Sequence, residues 1–315
     1  MSDARLTGPR MSRTRSVGIA LAAVTAVISG VAVFVNDYGV RRWPDATAYT
    51  TAKNLVAAIA LAGIGALATS RRPSEGLTLP PDRRHALGLL AIGVIGGSVP
   101  FVLFFEGLAR ATSTDAAFIH KTLVIWVAIL AVPLLRERVG VLHVAAIALL
   151  IAGQADLAAD LGALDLGSGE MMVLGATVLW SVEVVVAKTL LAGLSPLTVG
   201  VSRMSIGAVV LLGWCGITGR FGELTGATSS AWAWALLTGA ILTMYVVTWF
   251  SALARANAVD VTAVLVFAAV ITAALDAGID GLDLAPQRVG LVLITVGTAV
   301  AALAALRAPR PAAAT

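Results

Sequence analysis

Cysteine is nearly absent: Cys215 is the single one in 315 residues. That excludes an internal disulfide and a thiolate metal centre. Histidine is scarce too, and His85, His120 and His143 stand far apart along the chain. No His-Glu-x-x-His zinc helix, no Gly-x-Ser-x-Gly nucleophile elbow and no phosphate-binding Gly-x-x-x-x-Gly-Lys loop occurs. ATP hydrolysis is excluded, and neither an enzyme nor a cofactor or metal site is expected. Charge is the third shortage. Asp, Glu, Lys and Arg make up 13% of the chain, about half the share of a soluble globule. Hydrophobic residues make up 58%, so the chain is read as an integral membrane protein in which helices must satisfy their own backbone. The net charge of +4 comes from arginines at the ends of apolar runs. These are topology signals, not a nucleic-acid patch.

About 20 apolar residues carry a helix across a bilayer. Ten runs qualify: 17–36, 46–69, 86–109, 113–135, 139–157, 169–190, 197–217, 231–254, 258–280 and 287–307. The first resembles a signal peptide, with Arg5, Arg10, Arg13 and Arg15 before it. It is longer than a signal core and meets Asn36-Asp37-Tyr38 with no small-residue cleavage site, so it reads as a retained span. With the N-terminus inside, the inner side collects Arg5, Arg10, Arg13, Arg15, Arg71, Arg72, Arg83, Arg84, Arg136, Arg138, Lys188, Arg255, Arg307 and Arg310. The outer side collects Arg41, Arg42, Arg110, Arg220 and Arg288. That excess places both termini in the cytoplasm.

One passage occurs twice. Phe101–Ala117 reads FVLFFEGLARATSTDAA and Val246–Thr262 reads VVTWFSALARANAVDVT. Both carry Leu-Ala-Arg-Ala, a phenylalanine three residues earlier (Phe105, Phe250) and an aspartate four residues later (Asp115, Asp260). Each joins one apolar run to the next, and five spans separate equivalent points. An odd number turns the copies upside down relative to each other, the architecture of carriers that open to alternate sides. A weaker match agrees: the run after Trp43-Pro44 carries Lys53, and the run after Ser195-Pro196 carries Arg203. The expected fold is an all-α integral membrane protein of ten transmembrane helices in two inverted five-helix repeats. Residues 17–157 form the first repeat, 158–168 a polar linker and 169–307 the second. Residues 1–16 and 308–315 are cytoplasmic tails.

An ionised side chain at the bilayer centre costs roughly 2.5–3.5 kcal/mol on insertion scales, so it should face protein or a wet cavity. Six such residues fall inside the spans: Lys53, Glu106, His120, Lys121, Glu183 and Arg203. At about 1.5 Å per residue, the first four form an outer layer in the first half. Glu183 and Arg203 form an inner layer in the second. Depth matches Glu106 with Lys121 or Lys53, and Glu183 with Arg203. These groups either line a substrate or proton path, or lock helices together and snorkel. Trp126 lies five residues after Lys121, and Trp180 one helical turn before Glu183. Either could wall a cavity or simply pack. Gly96-Gly97-Ser98-Val99-Pro100 predicts a helix break, since proline removes a hydrogen bond and glycine loosens the backbone.

The pattern resembles the drug/metabolite transporter superfamily, specifically its EamA-like bacterial transporters. The resemblance rests on Glu106-Gly107-Leu108 with Ala116-Ala117 beyond, and on Ile119-His120-Lys121-Thr122. It also rests on Pro133-Leu134-Leu135-Arg136-Glu137-Arg138 before Val139-Gly140, with Ala148–Gly153 in the fifth span. It covers about residues 17–306. The second half departs from it, with Gly281–Arg288 where a Glu-Arg junction would stand, and many members carry uncharged residues where Lys121 and Glu183 stand here. The resemblance implies secondary transport, often export of amino acids or related metabolites, by exchange or proton coupling. The expected activity is alternating-access transport of a small polar or amphipathic, amino-acid-like metabolite across a bacterial inner membrane. Lys121 and His120 would hold its anionic group, and Glu183 or Glu106 a cationic group or a proton. Partners would be that substrate, a coupling proton or counter-substrate, membrane lipid and a second copy of the chain. An enzyme acting on a lipid or isoprenoid, or a non-transporting partner subunit, are the alternatives.

Overall fold

The computed structural model describes residues 8–72, 76–108, 110–111, 113–158 and 167–307. The tail 308–315 and most of the expected linker, including Asp160 and Asp165, lie outside the described residues. Every regular element among the described residues is a helix. In order these are α1 (Gly8–Val40), α2 (Ala46–Arg71), α3 (Arg83–Ile95), α4 (Val99–Leu108), α5 (Ser113–Lys121), α6 (Leu123–Leu135) and α7 (Val141–Leu157). Then follow α8 (Ser168–Leu190), α9 (Pro196–Ile217), the short α10 (Phe221–Thr225), α11 (Ser229–Leu253), α12 (Ala258–Leu265), α13 (Ala268–Ile279) and α14 (Arg288–Arg307). Among the described residues, nine stretches are long and apolar enough to cross a membrane. The tenth, α7, has 17 residues, at the short end of the spanning range. The protein is thus an all-helical multi-pass membrane protein of ten spans. Polar side chains start the helices: Asp45, Asp82, Ser195 and Thr228 accept from Ala48, His85, Thr198 and Ala231 N–H groups.

The two copies of the repeated passage fold alike. Arg110 and Ala111 N–H groups donate to the Gly107 carbonyl, at 2.9 and 2.8 Å, and Arg255 and Ala256 N–H groups to the Ala252 carbonyl, both at 2.9 Å. Each arginine then turns back one helical turn, Arg110 onto the carbonyl of Glu106 and Arg255 onto that of Ser251. Interhelical packing repeats the theme. α1 lies on α11, α12 and α13, and α8 lies on α4, α5 and α6. α2 meets α11 as α9 meets α3, α2–α9 and α7–α14 join equivalent helices of the two halves, and α6–α12 joins two helices from equivalent spans. Taken span by span, exchanging the halves leaves this set of partners unchanged. Equivalent spans are five apart and run in opposite directions, so the bundle is an inverted repeat.

Three spans break inside the membrane. The break at Gly96–Ser98 falls where the glycines and Pro100 predict it. The other two, at Thr122 and at Val266–Phe267, carry no Pro or Gly signal. Thr122 stands fourteen residues past Leu108 and Phe267 fourteen past Leu253, so these breaks are repeat-related. At Thr122 the hydroxyl donates to the Ile119 carbonyl at 2.6 Å. Val266 and Phe267 N–H groups reach carbonyls three residues back. Such tightened turns in mid-helix are sites where a helix pivots.

Candidate functional site

The site grows from one missing hydrogen atom. Pro100 has no N–H to give the carbonyl four residues earlier, so the Gly96 oxygen is left free at membrane depth, where every such group needs a protein partner. Two second-half side chains reach it: Arg203 Nη2 at 3.0 Å and the Trp180 indole N–H at 3.1 Å. Arg203 then pairs with Glu183, Nε to Oε1 at 2.7 Å and Nη2 to Oε2 at 3.4 Å. The pair is sealed, with the residues 8% and 3% exposed. Only glycine fits beneath it: a Cβ on Gly96 would strike Glu183, and one on Gly97 would strike the Arg203 carbonyl. The Arg203 guanidinium lies 5.9 Å from the Phe101 ring.

Aromatic rings extend the cluster. Trp180 meets Phe101, Phe104 and His120 at centroid distances of 5.4, 5.7 and 5.0 Å. His120 also meets Phe104 edge-on at 5.3 Å, and its buried Nδ1 has no hydrogen-bond partner among the described residues. Lys121 ends α5 at the Thr122 break. It is half-buried and makes no hydrogen bond or ion pair with any described residue. Trp126, also half-buried, donates to the Thr122 hydroxyl at 3.1 Å and so braces that break. Tyr245 and Trp249 stack on each other at 6.0 Å.

Lys53 is the repeat counterpart of Arg203, each being the eighth residue of its helix, α2 and α9. Both reach an acceptor on the preceding span: Lys53 Nζ donates to Asn36 Oδ1 at 3.0 Å, as Arg203 does to Glu183. Both have a close-packed glycine at their own carbonyl, Gly239 against Lys53 and Gly97 against Arg203. The Tyr49 hydroxyl bonds Asn36 at 2.7 Å and Thr238 at 3.0 Å. Lys53 Nζ lies over the Tyr49 and Phe105 rings at 5.3 and 5.9 Å. Asn36, Tyr49 and Thr238 carry no charge, so a search for charges in apolar runs passes over them.

The pairing expected for Glu106 is overturned. It meets neither Lys121 nor Lys53 but Arg110 at 2.9 Å and Arg220 at 2.8 Å. Depth alone says nothing about which way a helix is turned, and Arg220, in the link after α9, swings back over the bundle end. There it also approaches Asp45 at 3.5 Å. The hydrogen bond to Glu106, followed by the Asp45 and Glu106 charges, raises the Arg220 pKa and keeps it firmly charged. Of the eight residues expected at the site, His120, Trp180, Glu183 and Arg203 come together around Gly96. Lys121 and Trp126 flank the next break, Lys53 sits with Asn36, Tyr49 and Phe105, and Glu106 with Arg110 and Arg220. A separate cavity of about 660 Å³ opens between α2, α9 and α11 near Arg255, and none of the eight lines it.

A family model described as the EamA-like transporter family matches residues 16–155 and again residues 167–303. No curated protein sequence matches the chain. One solved crystal structure superposes with a TM-score of 0.74 at 19% identity, covering 93% of this chain and 100% of that one. At that identity the likeness shows the fold alone.

Proposed function

The chain belongs to the EamA-like transporter family, and from that premise we propose secondary transport of a small, amino-acid-like metabolite by alternating access. Export or exchange is the direction favoured by the family resemblance. The observation that supports the mechanism most is the exchangeable packing of the two inverted halves around mid-membrane polar groups. Inverted repeats rock about such a midplane site, which discontinuous helices usually build. The division of labour follows from which charges are already used. Glu183 is held by Arg203, and Glu106 by Arg110 and Arg220. Lys121 alone of the three candidate charges has no partner among the described residues. We therefore assign Lys121, with His120, to the anionic end of the substrate. Phe104, Trp126 and Trp180 suit its apolar body, and Glu183 takes a cationic end when Arg203 swings away.

A stabilisation screen tests this reading. Purified protein in lipid nanodiscs is melted with each common amino acid and its decarboxylated amine. A true ligand at a hundred times its Kd adds about 2.7 kcal/mol to stability, and the amine, lacking the carboxylate, should add nothing. Hits are then followed across proteoliposomes. Amine and amino acid stabilising equally, or no hit crossing the bilayer, would end the proposal. We further propose that both termini are cytoplasmic, on the strength of the loop arginines, and that the membrane is a bacterial inner one, as the family resemblance suggests. Cysteines introduced at 110 and 255, with Cys215 replaced, should label from outside and from inside respectively. Labelling of both from one side would refute the orientation and the inversion together.

A further inference from the structure

A second cluster of ionisable groups lies at the end of the bundle that carries Arg136, Arg138, Arg255 and Arg307, and the transport site makes no use of it. His143, near the start of α7, joins Asp260 of α12 through Nε2 at 3.0 Å. The Gly140 N–H donates to His143 Nδ1 at 3.2 Å. The ring's one proton is therefore on Nε2, and a neutral imidazole donates to the Asp260 carboxylate. Glu137, in the link between α6 and α7, accepts the Ala258 and Val259 N–H groups at 2.6 and 3.1 Å. It thereby caps the start of α12 from the other repeat, a favourable place for an anion. Burial raises the Glu137 pKa even against those two donors. Lys188 of α8 donates to the Leu253 and Ala256 carbonyls at 2.5 and 2.7 Å, within electrostatic reach of Glu137 and Asp260.

Two features mark the cluster as more than a brace. The first is its charge. Glu137 and Asp260 are negative, Lys188 is positive and His143 neutral, so one negative charge remains uncompensated in a cluster whose Asp260 and His143 are buried and whose Glu137 and Lys188 are half-buried. The other charges on neighbouring elements face away: Arg136, Arg138, Arg255 and Arg307 are exposed, and Arg15 of α1 bonds the Ala305 carbonyl. The second is an idle atom. Asp260 is 1% exposed, and its Oδ2 has no hydrogen-bond partner among the described residues. His143 Nδ1 is taken by Gly140, which leaves Oδ2 as the open acceptor.

We propose that Glu137, His143, Lys188 and Asp260 form a proton-binding site on the seam between the two repeats, and that one proton taken from water onto Asp260 Oδ2 loosens that seam. The proton neutralises the cluster and weakens the charge-assisted bond to His143, which spans the halves. That this proton couples to substrate movement rests on the transporter reading above. Its binding does not.

Infrared difference spectra of the whole protein in nanodiscs, between about pH 8 and about pH 5, read the site without any substrate. Wild type should gain a buried carboxylic-acid band that Asp260→Asn lacks and Asp260→Glu retains. Hydrogen exchange at 137–144 and 254–262 should quicken on acidification in wild type and in Asp260→Glu. In Asp260→Asn it should be fast at both pH values. A band that survives in Asp260→Asn overturns the proposal, as does wild-type exchange at these segments that ignores pH after correction for intrinsic rates. If Asp260→Asn does not fold, Asp260→Glu and wild type still decide: absence of the band from both overturns it. Failure of the transport assays with the band present removes the coupling role and leaves the site.

Discussion

Arg203→Ala should lower the stability of the purified protein by about 3–5 kcal/mol, the cost of stranding one member of a buried ion pair. Glu183 would keep its charge in a pocket where it is 3% exposed, with the only cation bonded to it among the described residues gone. The Gly96 carbonyl would also lose one of its two donors and retain only the Trp180 indole. Glu183→Gln/Arg203→Met should recover most of the loss, because an apolar or neutral replacement of both partners is often neutral or better. Thermal unfolding of the three proteins in nanodiscs checks this. If Arg203→Ala melts with wild type, the guanidinium is not what holds the break at Gly96, and the site as described is wrong. The double variant has a second use. A substrate amine that replaces Arg203 at Glu183 requires the carboxylate, so a stable double variant without transport assigns the pair to function and not to folding alone.

The parts of this molecule that were legible in the sequence share a physical cause. Hydropathy reports length, and length decides what crosses a bilayer, so all ten spans could be read directly. The break at Gly96–Ser98 was legible because proline's missing N–H is a property of the residue itself. Glu183 and Arg203 were paired correctly because a buried charge seeks its opposite at the same depth. Glu106 was paired wrongly because its partners, Arg110 and Arg220, approach from the bundle end. A depth count along a helix carries no azimuth and no loop path. The breaks at Thr122 and Val266–Phe267 escaped because a shortened turn needs no special residue there. Their matched positions in the repeats are the signal that could have found them. His143 and Asp260 escaped for a different reason. Ionisable residues at span ends are ordinary in any membrane protein, and it is the packing of α12 against α1, α6, α7 and α14, and of α7 against α14, that buries these two.

The largest effect on transport should come from Lys121→Ala. An ammonium this deep costs roughly 2.5–3.5 kcal/mol to place, and nothing among the described residues offsets it. A purely structural role would need a partner to hold. Snorkelling does not remove the cost easily, since Lys121 closes α5 at a break with further helix on either side. A group kept at that expense is explained by a ligand that supplies the missing charge. Uptake of the amino acid selected by the stabilisation screen should therefore fall at least about tenfold in Lys121→Ala, a loss of about 1.4 kcal/mol. Folding stability should hold or rise, because an uncompensated charge has left the bilayer interior. Lys121→Arg should keep part of the activity, its fork being a different shape but the same charge. The combination of lost flux and unimpaired melting is what separates a substrate ligand from a helix lock such as Arg203, for which both should fall together. Wild-type flux in Lys121→Ala would take the residue out of the site and, with it, the argument that the substrate carries an anionic group.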